Sequence, residues 1–313
     1  MVEKYLLNDS LKISISVSVR DLISDPELGL DLKVFRGEAY LENVIRSDRV
    51  QKLGMALVGT SGDVYEDRVQ IIGGTESDFL LSLEDEERLR VIQRLKKYRV
   101  CCIVVTSDAV VPEDLLNLSD VMEVPFIQSS EPGDISGAKI SHYLEKKLAP
   151  RATMHGCLLA VFGLGVLITG PSGIGKSECA LELVLKGHRL VADDCVEITR
   201  YGNNRLLGEG GKFLRHHMEL RGLGIIDIKE LYGISATGMD QDIDFIVRLD
   251  RWKADGEYDR LGIEKSSLNL LGVPVTVIDI PVAPGRNVST LVEVAAKVHL
   301  LQQAGYKTSE LSN

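Results

Sequence analysis

The stretch Gly170-Pro-Ser-Gly-Ile-Gly-Lys176-Ser177 satisfies the spacing G-x-x-x-x-G-K-[ST] in full, and no other part of the chain restricts the fold as sharply. It follows an apolar run, Val166 to Thr169, and opens a helix-patterned segment, Ser177 to Lys186, with Gly187 as its stop. A glycine-rich turn between strand and helix lets several backbone N–H groups point inward at phosphate oxygens, and the helix N-terminus adds partial positive charge. The pattern assigns Gly170, Pro171, Ser172, Gly173, Ile174, Gly175, Lys176 and Ser177 to a phosphate cradle. Lys176 reaches the β and γ phosphates of a nucleotide, and the Ser177 hydroxyl ligates Mg²⁺. Upstream, Cys157 to Phe162 and Val166 to Thr169 read as a hairpin joined at Gly163-Leu164-Gly165.

Candidate carboxylates follow. Leu190-Val-Ala192 is a short strand ending in Asp193-Asp194, a pair that could hold Mg²⁺, take a proton or cap a turn. Asp250, after Phe245 to Leu249, and Asp279, after Val275 to Ile278, are equally placed at strand ends. Motif logic leaves these three positions open for the metal. A second polar stretch, Arg215 to Asp227, surrounds Gly222-Leu223-Gly224, and its His216-His217 reads as a solvated pair because neighbouring residues do not converge on one ion. Pro281 to Asn287 precedes a helix, Ser289 to Gln303.

The first half carries no comparable chemistry. Leu11 to Val19 alternates with period two and reads as a half-buried strand, followed by a helical turn at Asp21 to Ile23. Apolar runs at Val69–Ile72, Val100–Val105 and Val124–Ile127 then alternate with amphipathic segments Glu84–Lys97 and Glu113–Leu118, the pattern of βαβ units with a mainly parallel sheet. Gly73-Gly74 and residues 129–137 read as turns, and Ile140–Leu148 as a helix stopped by Pro150. The expected organisation is therefore α/β: an N-terminal domain over 1–149 with a regulatory or assembly role, and a phosphate-binding domain over 150–313.

With 46 acidic against 36 basic residues, a net charge of −10 argues against nucleic acid as a partner. The N-terminus lacks a signal-peptide apolar run, and Cys157 to Ile168 is too short to span a bilayer, so a cytoplasmic chain without a membrane span is expected. The five cysteines form no C-x-x-C pair and read as small buried hydrophobes.

Taken together, several ordered blocks resemble the bacterial HPr kinase/phosphorylase family: His155-Gly156, Gly163 to Glu178, His188 to Asp194, Glu219 to Asp227, Tyr258-Asp-Arg-Leu-Gly262 and Ile280 to Asn287. The resemblance implies an enzyme that uses ATP to phosphorylate a serine of the phosphocarrier HPr, removes that phosphate with inorganic phosphate to give pyrophosphate, and so regulates carbon metabolism. It implies a homohexamer with ATP and Mg²⁺ as cofactors. It implies that Ser177 and Glu219 hold Mg²⁺, that Asp194 is base in one direction and acid in the other, and that Asp193 supports it. It implies, too, that His155 and Lys176 complete the phosphate centre and that Arg260 stabilises the transferring group beside a neighbouring subunit's site. Arg221 lies in the signature Met218–Asp227, and Arg286 in the loop tied to dephosphorylation. Ala283 departs from the family, where an additional arginine is expected.

An ordinary aspartate has a pKa of ~4 and is a weak base, so burial or a neighbouring carboxylate such as that in Asp193-Asp194 would strengthen it. Two other readings of the motif remain: a non-catalytic ATP-sensing switch, and a kinase for a different phosphocarrier.

Overall fold

The computed structural model describes residues 16–58, 64–211, 215–252, 265–283 and 285–306, and these divide into two compact units between Ala149 and Pro150.

In the N-terminal unit the short Val/Ile-rich runs become a five-stranded sheet ordered Leu32–Arg36, Phe126–Ser129, Ile103–Val105, Gln70–Ile72, Gln51–Lys52. All neighbours are parallel except the Leu32–Arg36 edge. Separate apolar clusters pack on it, one containing Ile72, Leu80 and Phe126 and another Ile71, Ile127 and Leu144, so the central strands are buried on both faces and show no polar alternation.

Two local expectations are corrected here. The alternation from Leu11 lies partly outside the described residues, and of the rest only Val17–Ser18 is strand; Val19 already opens a helix, Val19–Ser24. The Ser18 hydroxyl accepts from Asp21 N–H at 3.0 Å while the Asp21 carboxylate accepts from Ser18 N–H at 3.3 Å, a capping box that overrides the β-branched pattern. Residues 129–137 are not simply a turn, because the helix Gly133–Leu148 begins within them, capped by Pro132. Gly133, within that stretch, is the first residue of the helix and lies in ordinary contact range of Gly73 and Thr106.

In the C-terminal unit the Cys157–Val161 and Leu164–Thr169 hairpin forms as read from the sequence, with Val166 opposite Leu159. It sits in a nine-stranded mixed sheet. The strand Asp240–Arg251 is the pivot: its second half runs parallel to Leu164–Thr169 and to Val273–Val282, while its first half pairs antiparallel with Arg205–Gly210. Arg205–Gly210 continues the sheet through Cys195–Tyr201 to Arg151–His155. Helices Lys176–Leu185 and Val288–Gln303 contribute Leu183, Val184, Val292 and Ala296 to the core on one face, with Leu159, Val166 and Ile168. Leu158, Leu167, Val196 and Ile198 form the core on the other. This arrangement brings the phosphate loop to the carboxyl ends of three parallel strands, where ligands of open α/β sheets bind.

Candidate active site

The loop between Leu164–Thr169 and Lys176–Leu185 turns through left-handed conformations at Gly173 (φ +75) and Gly175 (φ +103). The guanidinium of Arg221 rests over the loop at Gly173, where a Cβ would lie 2.5 Å from Arg221 Nη2 and displace it. Lys176 Nζ donates to the carbonyls of Gly170 and Pro171 at 3.1 and 3.2 Å, folded across the cradle it belongs to.

Of the three strand-end candidates, Asp193 is the one that meets Ser177. The Ser177 hydroxyl lies 3.1 Å from both oxygens of Asp193, which arrives at the end of the Arg189–Ala192 strand. Asp279 is engaged elsewhere, in a bidentate pair with Arg248 at 2.5 and 2.7 Å. Asp250 is exposed, and its carboxylate accepts from Arg251 N–H at 2.8 Å.

Asp193 is 6% exposed and receives further donors: the Cys157 thiol at 2.7 Å, the Glu219 backbone N–H at 3.2 Å and the following Asp194 N–H. Burial pushes its carboxyl above the ordinary range, and these hydrogen bonds oppose the rise. Burial thus falls on Asp193, whereas the Asp194 side chain is 68% exposed.

Asp194 occupies a left-handed conformation, φ +64, at the centre of a tight turn in which Cys195 N–H donates to the Asp193 carbonyl at 2.8 Å. Such backbone is uncommon outside glycine and concentrates at functional sites. Its carbonyl is held by Gly156 N–H and by His155 Nδ1, each at 3.1 Å. A carbonyl oxygen only accepts, so Nδ1 carries a proton in this contact. The Asp194 carboxylate is 3.6 Å from the same Nδ1. His155 comes within reach because Arg151–His155 pairs antiparallel with Cys195–Tyr201, placing it opposite Cys195.

Glu219 lies on His217–Leu220, which pairs with Gly224–Asp227, and it joins the cluster through its backbone while its side chain is exposed. Arg286 hydrogen-bonds within its own loop, to the Pro281 carbonyl at 3.5 Å, with Ala283 also on that loop. Arg260, with Tyr258 to Gly262, lies outside the described residues. His216 and His217 do not act as a pair: the His217 ring contacts the Arg215 carbonyl, and burial lowers the His216 pKa.

Among the described residues no three His, Cys, Asp or Glu side chains converge as a metal cage. Mg²⁺ does not require one, since it keeps several waters and takes one or two protein oxygens plus substrate phosphates. The hydroxyl of Ser177 and the carboxylate of Asp193 are hard oxygen donors of that type, adjacent to the loop.

Sequence reasoning missed Cys157 as a polar partner. Its apolar setting hid it, and only the pairing of Cys157 with Ile168 and of Leu158 with Ala192 reveals that the thiol faces Asp193. A cavity of about 440 Å³ lies elsewhere, in the N-terminal unit, lined by Asp21, Asp25, Tyr143 and Lys147. Its Asp25 is paired with Lys147 and Tyr143 at 2.8 and 3.0 Å, and no phosphate-binding loop borders it.

The two halves of the chain match two domain families in order, "HPr Serine kinase N terminus" over residues 17–144 and "HPr Serine kinase C-terminal domain" over residues 146–312. The chain belongs to the HPr kinase/phosphorylase family. It is 41% identical over 296 residues to the HPr kinase/phosphorylase of Geobacter sulfurreducens, covering 95% of this chain and 93% of that one. Similarity to the HPr kinase/phosphorylase of Caldanaerobacter subterraneus subsp. tengcongensis is 39% over 297 residues, covering 95% and 96%. A solved Hpr(Ser) kinase/phosphatase from Coxiella burnetii is 33% identical, covering 50% of this chain and 96% of its own, with a TM-score of 0.47. As a family kinase the chain uses ATP, and no helix among the described residues is long and apolar enough to cross a membrane.

Proposed function

We propose that this chain phosphorylates a serine of HPr with ATP and, in the reverse sense, removes the phosphate with inorganic phosphate to release pyrophosphate. The observation that carries the reading is the convergence of Ser177, Asp193 and the Glu219 N–H beside the phosphate loop, with Asp194 next in chain and exposed to an incoming protein. Backbone N–H groups of the loop from Gly170 to Ser177, Pro171 excepted, and the helix N-terminus bind the nucleotide phosphates, and Lys176 exchanges its contacts with Gly170 and Pro171 for phosphate oxygens. Ser177 and Glu219, with Asp193 behind them, would hold Mg²⁺, which would supply charge neutralisation for the nucleotide phosphates.

In the kinase direction the Asp194 carboxylate accepts the serine proton as the seryl oxygen bonds to the γ-phosphorus and the bond to the ADP oxygen breaks. In the reverse direction a phosphate oxygen attacks the seryl phosphate, and the same carboxyl returns its proton to the departing seryl oxygen. One aspartate serves both because each step moves a phosphoryl group between the seryl oxygen and a phosphate oxygen, so the carboxylate that takes the seryl proton in one returns it in the other. His155 Nδ1 anchors the Asp194 backbone, and Nε2 is its second nitrogen available to a phosphate. Arg221 and Arg286 support the phosphates and the dephosphorylation loop, and Arg260 the transferring group. We further assign a cytoplasmic homohexamer.

Purified protein mixed with labelled ATP and HPr tests this directly. Label should pass to a serine of HPr and, on adding excess phosphate, leave it as pyrophosphate. ATP binding without any transfer to HPr would overturn the reading.

A further inference from the structure

The Asp193 carboxylate is approached from two sides. Ser177 and the Glu219 and Asp194 N–H groups belong to the loop, hairpin and turn that build the phosphate site. The remaining donor, the Cys157 thiol at 2.7 Å from Oδ1, comes from the core and is fully buried. Cys157 starts the strand that lies between Leu164–Thr169 and Arg189–Ala192, so its side chain emerges beneath the end of the strand that delivers Asp193. It also sits in the apolar cluster with Ile168, Cys179 and Ala180, where no water replaces a lost donor easily.

We propose that Cys157 is a positioning residue for the phosphoryl-transfer site, its S–H fixing the rotation of the Asp193 carboxylate so that Ser177 and the Glu219 N–H meet it together. A carboxylate turns readily about its Cβ–Cγ bond. With Oδ1 held from below, its oxygens stay directed at the first residue beyond Lys176 and at the hairpin. Without that donor a buried acceptor is left short of a partner and the carboxylate turns toward the donors it retains, at the expense of one of these contacts. An ordinary buried cysteine, acting only as a small hydrophobe, would be replaced by valine with little effect on the neighbouring polar groups.

The inference rests on the proposed function, because it treats Asp193 as part of a nucleotide site. Full-length Cys157→Val and Cys157→Ser separate the two roles. The first keeps an apolar filler without a donor; the second keeps a donor. Two measurements are made: binding of a fluorescent ADP analogue with and without Mg²⁺, and amide hydrogen exchange across the C-terminal unit. The valine variant should weaken Mg²⁺-dependent binding roughly 10-fold while Mg²⁺-free binding changes less than about two-fold. Exchange should accelerate locally at the Glu219 N–H, with the serine variant close to the parent in both measurements. A valine variant indistinguishable from the parent overturns the proposal. So does exchange that rises evenly over the whole sheet with serine no better than valine, which would make Cys157 a packing residue only. A parent chain that binds no nucleotide sinks the proposed function instead, and the exchange data then decide Cys157 on their own.

Discussion

Ser177 Oγ stands 3.1 Å from each oxygen of the Asp193 carboxylate, so one hydroxyl proton is shared between two acceptors and the phosphate loop is tied to the end of the neighbouring strand. Asp193→Asn replaces one acceptor with an amide that cannot receive it. Loss of ~10–100-fold in kcat/KM is expected, with a higher Mg²⁺ requirement, as for groups that orient metal ligands. Steady-state rates over a Mg²⁺ titration check this.

The same burial has a consequence for stability. The folded-state pKa of Asp193 is raised, so between the unfolded value near ~3.9 and the raised value the folded chain binds more protons than the unfolded one. Parent stability therefore falls as pH rises through that window, and Asp193→Asn escapes the fall. Melting temperatures of both proteins without nucleotide should diverge in the variant's favour with rising pH; a constant difference would contradict the sign.

Asp194→Asn keeps the shape of the turn but cannot accept a proton. Both ATP-driven labelling of HPr and pyrophosphate release from phosphorylated HPr should fall together, by ~10²–10⁴-fold for loss of a general acid–base. Full retention of either activity rules out the shared role.

Gly173→Ala forces a Cβ into left-handed backbone at a penalty of ~1–2 kcal/mol and into the guanidinium of Arg221, 2.5 Å away. The long arginine can yield, so the chain should fold with a raised KM for ATP. Arg221→Ala in the same background should make the two effects non-additive in a double-mutant cycle.

Arg248 and Asp279 form a half-buried bidentate pair between adjacent strands. Asp279→Asn should cost about 1–3 kcal/mol in a denaturant titration, as for a hydrogen bond to a charged group. The Mg²⁺ dependence of activity should stay where it is.

In the N-terminal unit, hydrogen bonding to Lys147 holds Asp25 at about 2, below its ordinary 3.8. The stabilisation is complete above the unfolded value and is lost as pH falls through the folded one. Acid melts between pH ~4 and ~2 should therefore be less steep for Asp25→Asn than for the parent.

The strand–turn–helix setting of the glycine-rich loop is legible in the sequence because its signal is local: glycines, lysine and serine at fixed spacing between an apolar run and a helix pattern. The alternating apolar runs likewise disclosed an α/β chain, since burial on two faces leaves its mark on consecutive residues. The helix starts at Val19 and Gly133 are harder to read: at Val19 a capping box outweighs the β-branched pattern, and Gly133 follows a proline in a stretch rich in turn residues.

The different surroundings of Asp193, Asp250 and Asp279 belong to the tertiary structure. Each ends an apolar run, but strand register gives Asp279 to Arg248, leaves Asp250 exposed, and brings Asp193 to Ser177. His155 and Cys157 reach the same centre from residues 36 to 39 positions away in the chain, through strand pairings that no spacing rule encodes. Sequence by itself determined which groups are available for phosphate chemistry; long-range hydrogen-bonded pairing decided which of them share one site, because orientation and burial are set by neighbours in space.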